Sequence, residues 1–170
     1  MIKKAFLLIA FPLVFLAGCG IYSFTGGSIS AGMKTVSVLV FENTAALVNP
    51  NLSQSFTESL KDRIRTQTSL SFVRVDGDAD FSGRITDYNL QPVAIQANEQ
   101  VTAGLTRLSI TVNVKYTNKL EADKSFEQSF TRFKDFSTQG SPFSGQEAAL
   151  VKDINQQLTE DIYNRAFANW

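Results

Sequence analysis

Between residues 106 and 117 the chain alternates without a break. Leu108, Ile110, Val112, Val114 and Tyr116 take every second position, and Ser109, Thr111, Asn113, Lys115 and Thr117 fill the gaps. Successive side chains of a strand point to opposite faces, so this segment has one apolar and one wet face. It belongs to a sheet covered on one side only, and the rest of the chain must supply the cover. A polar turn follows over residues 118–124. Residues 125–136 then read as a second strand, with Phe126 and Phe130 inward and Phe133 out of parity. The pair predicts an antiparallel hairpin.

Two amphipathic helices provide the cover. Leu52, Phe56, Leu60 and Ile64 recur every four residues, while Lys61, Asp62, Arg63 and Arg65 fall mostly off that stripe. Asn51 is placed to cap this helix, with Gln54 three residues on. The second helix has Val151, Ile154, Leu158 and Ile162 at helical spacing, extended by Phe167 and Trp170. Ser144 followed by Glu147 predicts a capping box at its start. Residues 35–41 predict a strand with apolar side chains on both faces, and residues 42–50 a loop. Residues 70–75 form a short strand and Asp76-Gly77-Asp78 a turn. Along residues 81–90 the apolar parity switches, which predicts a bulge near Asp87, and Pro92 suits a strand end. The expected fold is α+β, a two-layer sandwich of two helices packed on a mostly antiparallel sheet of about four strands.

The amino terminus has a different character. Lys3 and Lys4 precede an apolar run over residues 5–15, broken only by Pro12, and Leu16-Ala17-Gly18-Cys19 closes it. A charged start, a short apolar stretch and small residues at the end describe a secretory signal peptide, too short for a spanning helix. The final string resembles the lipobox of bacterial lipoproteins, in which the cysteine thiol carries diacylglycerol and the new amino terminus is acylated. Cys19 is the only cysteine, so an intramolecular disulfide is impossible in this exported chain. Several acyl chains give lasting attachment where one gives marginal binding. Gly20 follows the cysteine, with no aspartate and no acidic cluster after it. By resemblance to lipoprotein sorting patterns, this points to the periplasmic side of the outer membrane. The expected organisation is a signal peptide at 1–18, a lipidated, glycine- and serine-rich tether at 19–34, and one domain at 35–170.

Composition removes several classes of function. The chain has no histidine, which takes away the commonest general base and metal ligand. With Cys19 committed to lipid, thiolate catalysis and the usual zinc sites are excluded. Gly26-Gly27 lacks the Gly-Lys-Ser/Thr that a phosphate loop needs. Asp76, Asp78 and Asp80 alternate like part of a calcium loop, but the twelfth position is Asp87 rather than glutamate and a strand begins at once. A solvated turn is the better reading. Loss of Lys3 and Lys4 with the signal leaves 14 basic and 16 acidic side chains, a net charge of −2. That balance argues against nucleic-acid binding. No enzyme activity, metal or cofactor is expected.

Cys19-Gly20-Ile21-Tyr22-Ser23-Phe24-Thr25-Gly26-Gly27 resembles the Cys-Gly-aromatic opening of the lipopolysaccharide-assembly lipoproteins, the LptE family. Lys34-Thr35-Val36 entering the first strand, the string Ala79-Asp80-Phe81-Ser82-Gly83-Arg84-Ile85, the hairpin and the terminal helix follow in the family's order. The likeness is greatest to the branch found outside enteric bacteria. It implies two helices on a four-stranded sheet. It also implies a protein that plugs an LptD-type outer-membrane β-barrel, assists that barrel's assembly and helps deliver lipopolysaccharide, which members bind. No local motif aligns the family's lipid-contacting cations. On physical grounds Arg107, Lys115, Arg132 and Lys134, on or beside the hairpin, are the candidates for pairing with lipid phosphates. The competing reading of each is a solvated charge that discourages edge pairing. Two other functions remain open: a lipoprotein subunit of another envelope assembly, such as a secretion-channel ring, and an envelope hydrolase.

Overall fold

A computed structural model describes residues 29–47, 49–93 and 105–168. Its elements are β1 (Thr35–Val38), β2 (Glu42–Asn43), α1 (Leu52–Gln67), β3 (Ser71–Val73), β4 (Ala79–Pro92), β5 (Leu105–Asn118), β6 (Phe126–Ser137) and α2 (Phe143–Phe167). A short 3-10 turn, Ala122–Lys124, lies between β5 and β6. The two-layer α+β sandwich is as expected. The sheet, however, has six strands, ordered β3-β1-β4-β5-β6 with β2 beside β4.

The three long strands form an antiparallel meander, in which β5 and β6 are the expected hairpin and β4 pairs with the other side of β5. The register of β4 on β5 slips between Ile85 and Asp87, the bulge that the parity switch called for. β4 ends at Pro92, as its missing N–H requires. The short strands depart from the mostly antiparallel expectation, because β1 runs parallel to both β3 and β4, and β2 runs parallel to β4. The order β1-α1-β3 explains the first pair: a helical crossover returns the chain in the same direction. β1 is shorter than the expected 35–41. It stops at Val38, and Leu39 and Val40 are exposed before Phe41 turns back into the core.

Both helices lie on one face. Leu52, Phe56, Leu60 and Ile64 of α1 are fully buried, as are Ile154, Leu158 and Ile162 of α2. They meet the inward residues of the meander, among them Phe81, Ile85, Ile110, Val112 and Val114. Rings fill the middle of the layer: Phe81 lies 4.8 Å from Tyr116, and Phe41 makes an edge contact with Phe56 at 5.0 Å. The helices run side by side in the same direction. The Asn155 amide donates to the Ser55 hydroxyl at 3.2 Å, the Arg63 guanidinium to the Gln156 carbonyl at 3.0 Å, and the Tyr163 hydroxyl to the Gln67 carbonyl at 3.3 Å.

Neither expected cap forms. Asn51 makes no side-chain cap bond; its own N–H is taken by the Asn49 side chain at 3.0 Å. α2 begins one residue before Ser144, with Pro142 in the cap position and no side-chain cap. Glu147 is drawn away instead. Its carboxylate accepts the Tyr88 hydroxyl at 2.6 Å and the Asn49 amide at 2.7 Å, joining β4, the loop before α1 and the first turns of α2. Burial, reinforced by the bond to Glu147, raises the Tyr88 pKa. Cys19, the tether through residue 28 and Trp170 lie outside the described residues.

Candidate functional site

The face of the meander turned away from the helices has no cover among the described residues. Register places its side chains in rows across β4, β5 and β6: Ser82-Lys115-Glu127, Arg84-Asn113-Ser129 and Asp87-Thr111-Thr131. The hydroxyls of Thr111 and Thr131 are 2.9 Å apart, and the Asn113 amide reaches the Ser129 hydroxyl at 3.4 Å. This is a field of short hydroxyl and amide groups. A shallow hollow of about 250 Å³ lies in it, lined by Glu42, Ser82, Gly83, Arg84, Asn113, Lys115 and Glu127.

The four candidate cations divide between the two faces. Arg107 and Lys115 lie on the outer face, whereas Arg132 and Lys134 alternate with Phe133 on the helix side of β6. Three of the four have internal partners. Arg107 makes a two-pronged bond to Asp135 at 2.7 and 2.9 Å, and its guanidinium stacks 3.8 Å over the Phe133 ring. Arg132 grips Asp161 of α2 with two bonds of 2.6 Å, and Lys134 reaches Asp153 of α2 at 3.2 Å. Asp135 raises the Arg107 pKa, and Asp161 raises that of Arg132. Lys115 has no ion pair among the described residues, nor does Arg84, its diagonal neighbour on β4. Diagonal neighbours across an antiparallel pair are about 7–8 Å apart, so one anionic group can engage both. Arg84 was missed as a candidate. Its outward parity follows from the inward Ile85, but its position beside Lys115 depends on register. Of the rings on β6, Phe133 is half exposed, whereas Phe130 and Phe136 are buried and Phe126 packs against the core.

The aspartate series is committed to the fold. Asp78 accepts the backbone N–H of Lys34 and Thr35 and the Thr35 hydroxyl, each at 2.9 Å. Those bonds, the one from Lys34 first, hold its carboxyl below the ordinary pKa. Asp80 accepts from Ser37, from the Gly77 N–H and from Lys119, which also pairs with Asp76. Among the described residues no group of three or more acidic, cysteine or histidine side chains is placed to hold a metal ion. No described helix is long and apolar enough to cross a membrane.

Comparison with known proteins decides what kind of domain this is. The LptE lipopolysaccharide-assembly family model matches residues 33–166, from the start of β1 to the end of α2. The chain belongs to the LptE family. It is thus an outer-membrane lipoprotein of the lipopolysaccharide-assembly type, in a family of lipoproteins that are not enzymes. No curated protein matches the sequence. Among solved structures, rare lipoprotein B from Shewanella oneidensis is similar, with a TM-score of 0.50 at 12% identity over 77% of this chain and 92% of that one. Lipoprotein B from Nitrosomonas europaea, described as uncharacterized, gives a TM-score of 0.50 at 16% identity over 85% and 87%. At such identities the likeness is one of fold, which the LptE assignment shares.

Proposed function

We propose that this protein sits as a plug within an LptD-type outer-membrane β-barrel, assists its assembly and helps deliver lipopolysaccharide to the outer leaflet. The observation that carries the reading is the LptE match across nearly the whole domain. The surface chemistry is consistent with it. The lumen of an outer-membrane barrel is polar, and the outer face of the meander offers hydroxyl and amide rows to such a wall. Acylation of Cys19 on the periplasmic side would keep the domain near its barrel. Ile29 lies ten positions after Cys19, so the tether reaches at most about 35 Å.

Among the proposed lipopolysaccharide contacts, Lys115 takes first place with Arg84 beside it. A lipid phosphate can pair with these two without breaking a bond within the domain. At Arg107, Arg132 and Lys134 the same phosphate has to displace Asp135, Asp161 or Asp153. The test has two arms. Affinity purification of the acylated protein from detergent-solubilised outer membranes is expected to recover a large β-barrel; its absence, or a symmetric ring of the protein alone, overturns the plug. Binding of labelled lipopolysaccharide is expected to weaken at least tenfold in Arg84→Glu/Lys115→Glu and to change little in Arg132→Gln. The reverse order overturns the assignment of contacts.

A further inference from the structure

At the opposite end of the sheet from β6, a second cleft lies between α1 and the β1–β3 pair, with a volume of about 390 Å³. Its floor is apolar, made by Val38 and Phe72 with Val73 at its margin, and its rim carries Lys61, Arg65 and Arg74 against the single carboxylate of Glu58. Glu58 is held by Lys61 at 2.9 Å, and Arg65 pairs with Asp62 while its guanidinium lies 5.3 Å over the Phe72 ring. Arg74 has no ion pair among the described residues. The cleft is cationic at its rim and apolar at its base.

It also borders a free sheet edge. β3 pairs with β1 alone among the described strands. The Ser71 N–H donates inward to the Lys34 carbonyl at 2.9 Å, and alternation along a strand then turns the amide and carbonyl of Phe72 outward. Edges in natural proteins are commonly blunted by charge, proline or cover. Here Val73 stands exposed on the edge and Val75 just past its end, with Leu39 and Val40 exposed beyond the end of β1. Phe72 pairs with the inward Val36, so Phe72 faces the helix side and Val73 the other, and Arg74, just past the strand, lines the cleft.

We propose that the β3 edge and its cleft bind an extended segment of a protein partner in which acidic and apolar residues alternate. Such a segment adds a strand beside β3, taking its main-chain bonds from Phe72. Its carboxylates on the helix side meet Lys61, Arg65 and Arg74. Its apolar side chains on the other side cover Val73. Charge complementarity and the free backbone select a polypeptide over a lipid, because a lipid headgroup has no use for an unpaired strand edge. The inference stands apart from the lipopolysaccharide reading, which concerns the face of the meander.

The test uses the full acylated chain in detergent micelles and two labelled heptapeptides, one alternating glutamate with valine and one alternating lysine with valine. Fluorescence anisotropy is expected to give saturable binding of the glutamate peptide only. Affinity is expected to fall at least tenfold in Lys61→Glu/Arg74→Glu and to be retained in Arg74→Lys. Hydrogen exchange at the Phe72 amide is expected to slow when the glutamate peptide is bound. Equal binding by the charge-reversed variant, or an unchanged Phe72 amide, overturns the proposal. So does displacement of the peptide by anionic phospholipid vesicles that leave that amide exchanging freely, which assigns the cleft to a lipid. Neither barrel nor lipopolysaccharide enters the assay, so its failure leaves the function proposed above untouched.

Discussion

Gly83 sets how closely β4 can approach β5, and replacing it tests that packing directly. A Cβ built at Gly83 would sit 2.1 Å from the Asn113 carbonyl oxygen and 2.7 Å from the Phe41 ring. Ordinary contacts at these positions exceed 3 Å, so an alanine methyl forces a separation of about 1 Å between two main chains at the centre of the meander. Overpacking of a well-filled interior costs about 1–3 kcal/mol. The obstruction here is backbone, which cannot rotate away, so Gly83→Ala is expected at the top of that range, about 3 kcal/mol. With a urea m-value of about 2 kcal/mol per molar, the midpoint falls by about 1.5 M. The assay is equilibrium unfolding of the mature chain followed by far-ultraviolet circular dichroism. Gly32→Ala is the control. That residue has φ +95° with nothing within 4 Å of an added Cβ, so it carries conformational cost without collision. The expected loss there is about 1–2 kcal/mol. A Gly83→Ala loss below that of Gly32→Ala refutes the collision argument. So does full rescue by Phe41→Ala, because removing the ring leaves the Asn113 carbonyl in place.

Three further outcomes follow from the same contacts. Phe81→Ala removes a fully buried ring that touches Tyr116 and Phe167, and is expected to cost about 3–5 kcal/mol in the same unfolding experiment. A double-mutant cycle on Arg132 and Asp161 is expected to return about 1 kcal/mol or less, since Arg132 is exposed to solvent and Asp161 partly so. In acid, Asp78, Glu121 and Asp135 have folded pKa values below their ordinary ones. Hydrogen bonds are the first cause in each case, from Lys34, Lys124 and Arg107 respectively. Their stabilisation is therefore present above the unfolded carboxylate range and is lost as pH falls through the lowered folded values. A stability–pH profile is expected to drop below about pH 4, with a smaller drop in Asp78→Asn.

The candidate site was only partly legible. That Lys115 points away from the helices follows from strict alternation in β5, because its neighbours Val114 and Tyr116 are apolar. That Arg107, Arg132 and Lys134 are already engaged could not be read, since Asp135, Asp161 and Asp153 are brought to them by strand register and by the seating of α2. The helix starts failed for a related reason. A capping box is a local preference, and Asn49 and Tyr88 competed for Glu147 from other parts of the fold.

The sequence by itself determined the three long strands, the bulge near Asp87, both helical stripes and the single covered face of the meander. Each of these is a periodic burial pattern carried by ten or more residues, and burial at a fixed period leaves few alternatives. Tertiary structure alone decided the parallel pairing of β1 with β3 and β4, the two-residue strand β2, and the juxtaposition of Arg84 with Lys115. Segments that short carry less than two periods of any pattern. Their strand character comes from hydrogen bonds lent by neighbours distant in the chain.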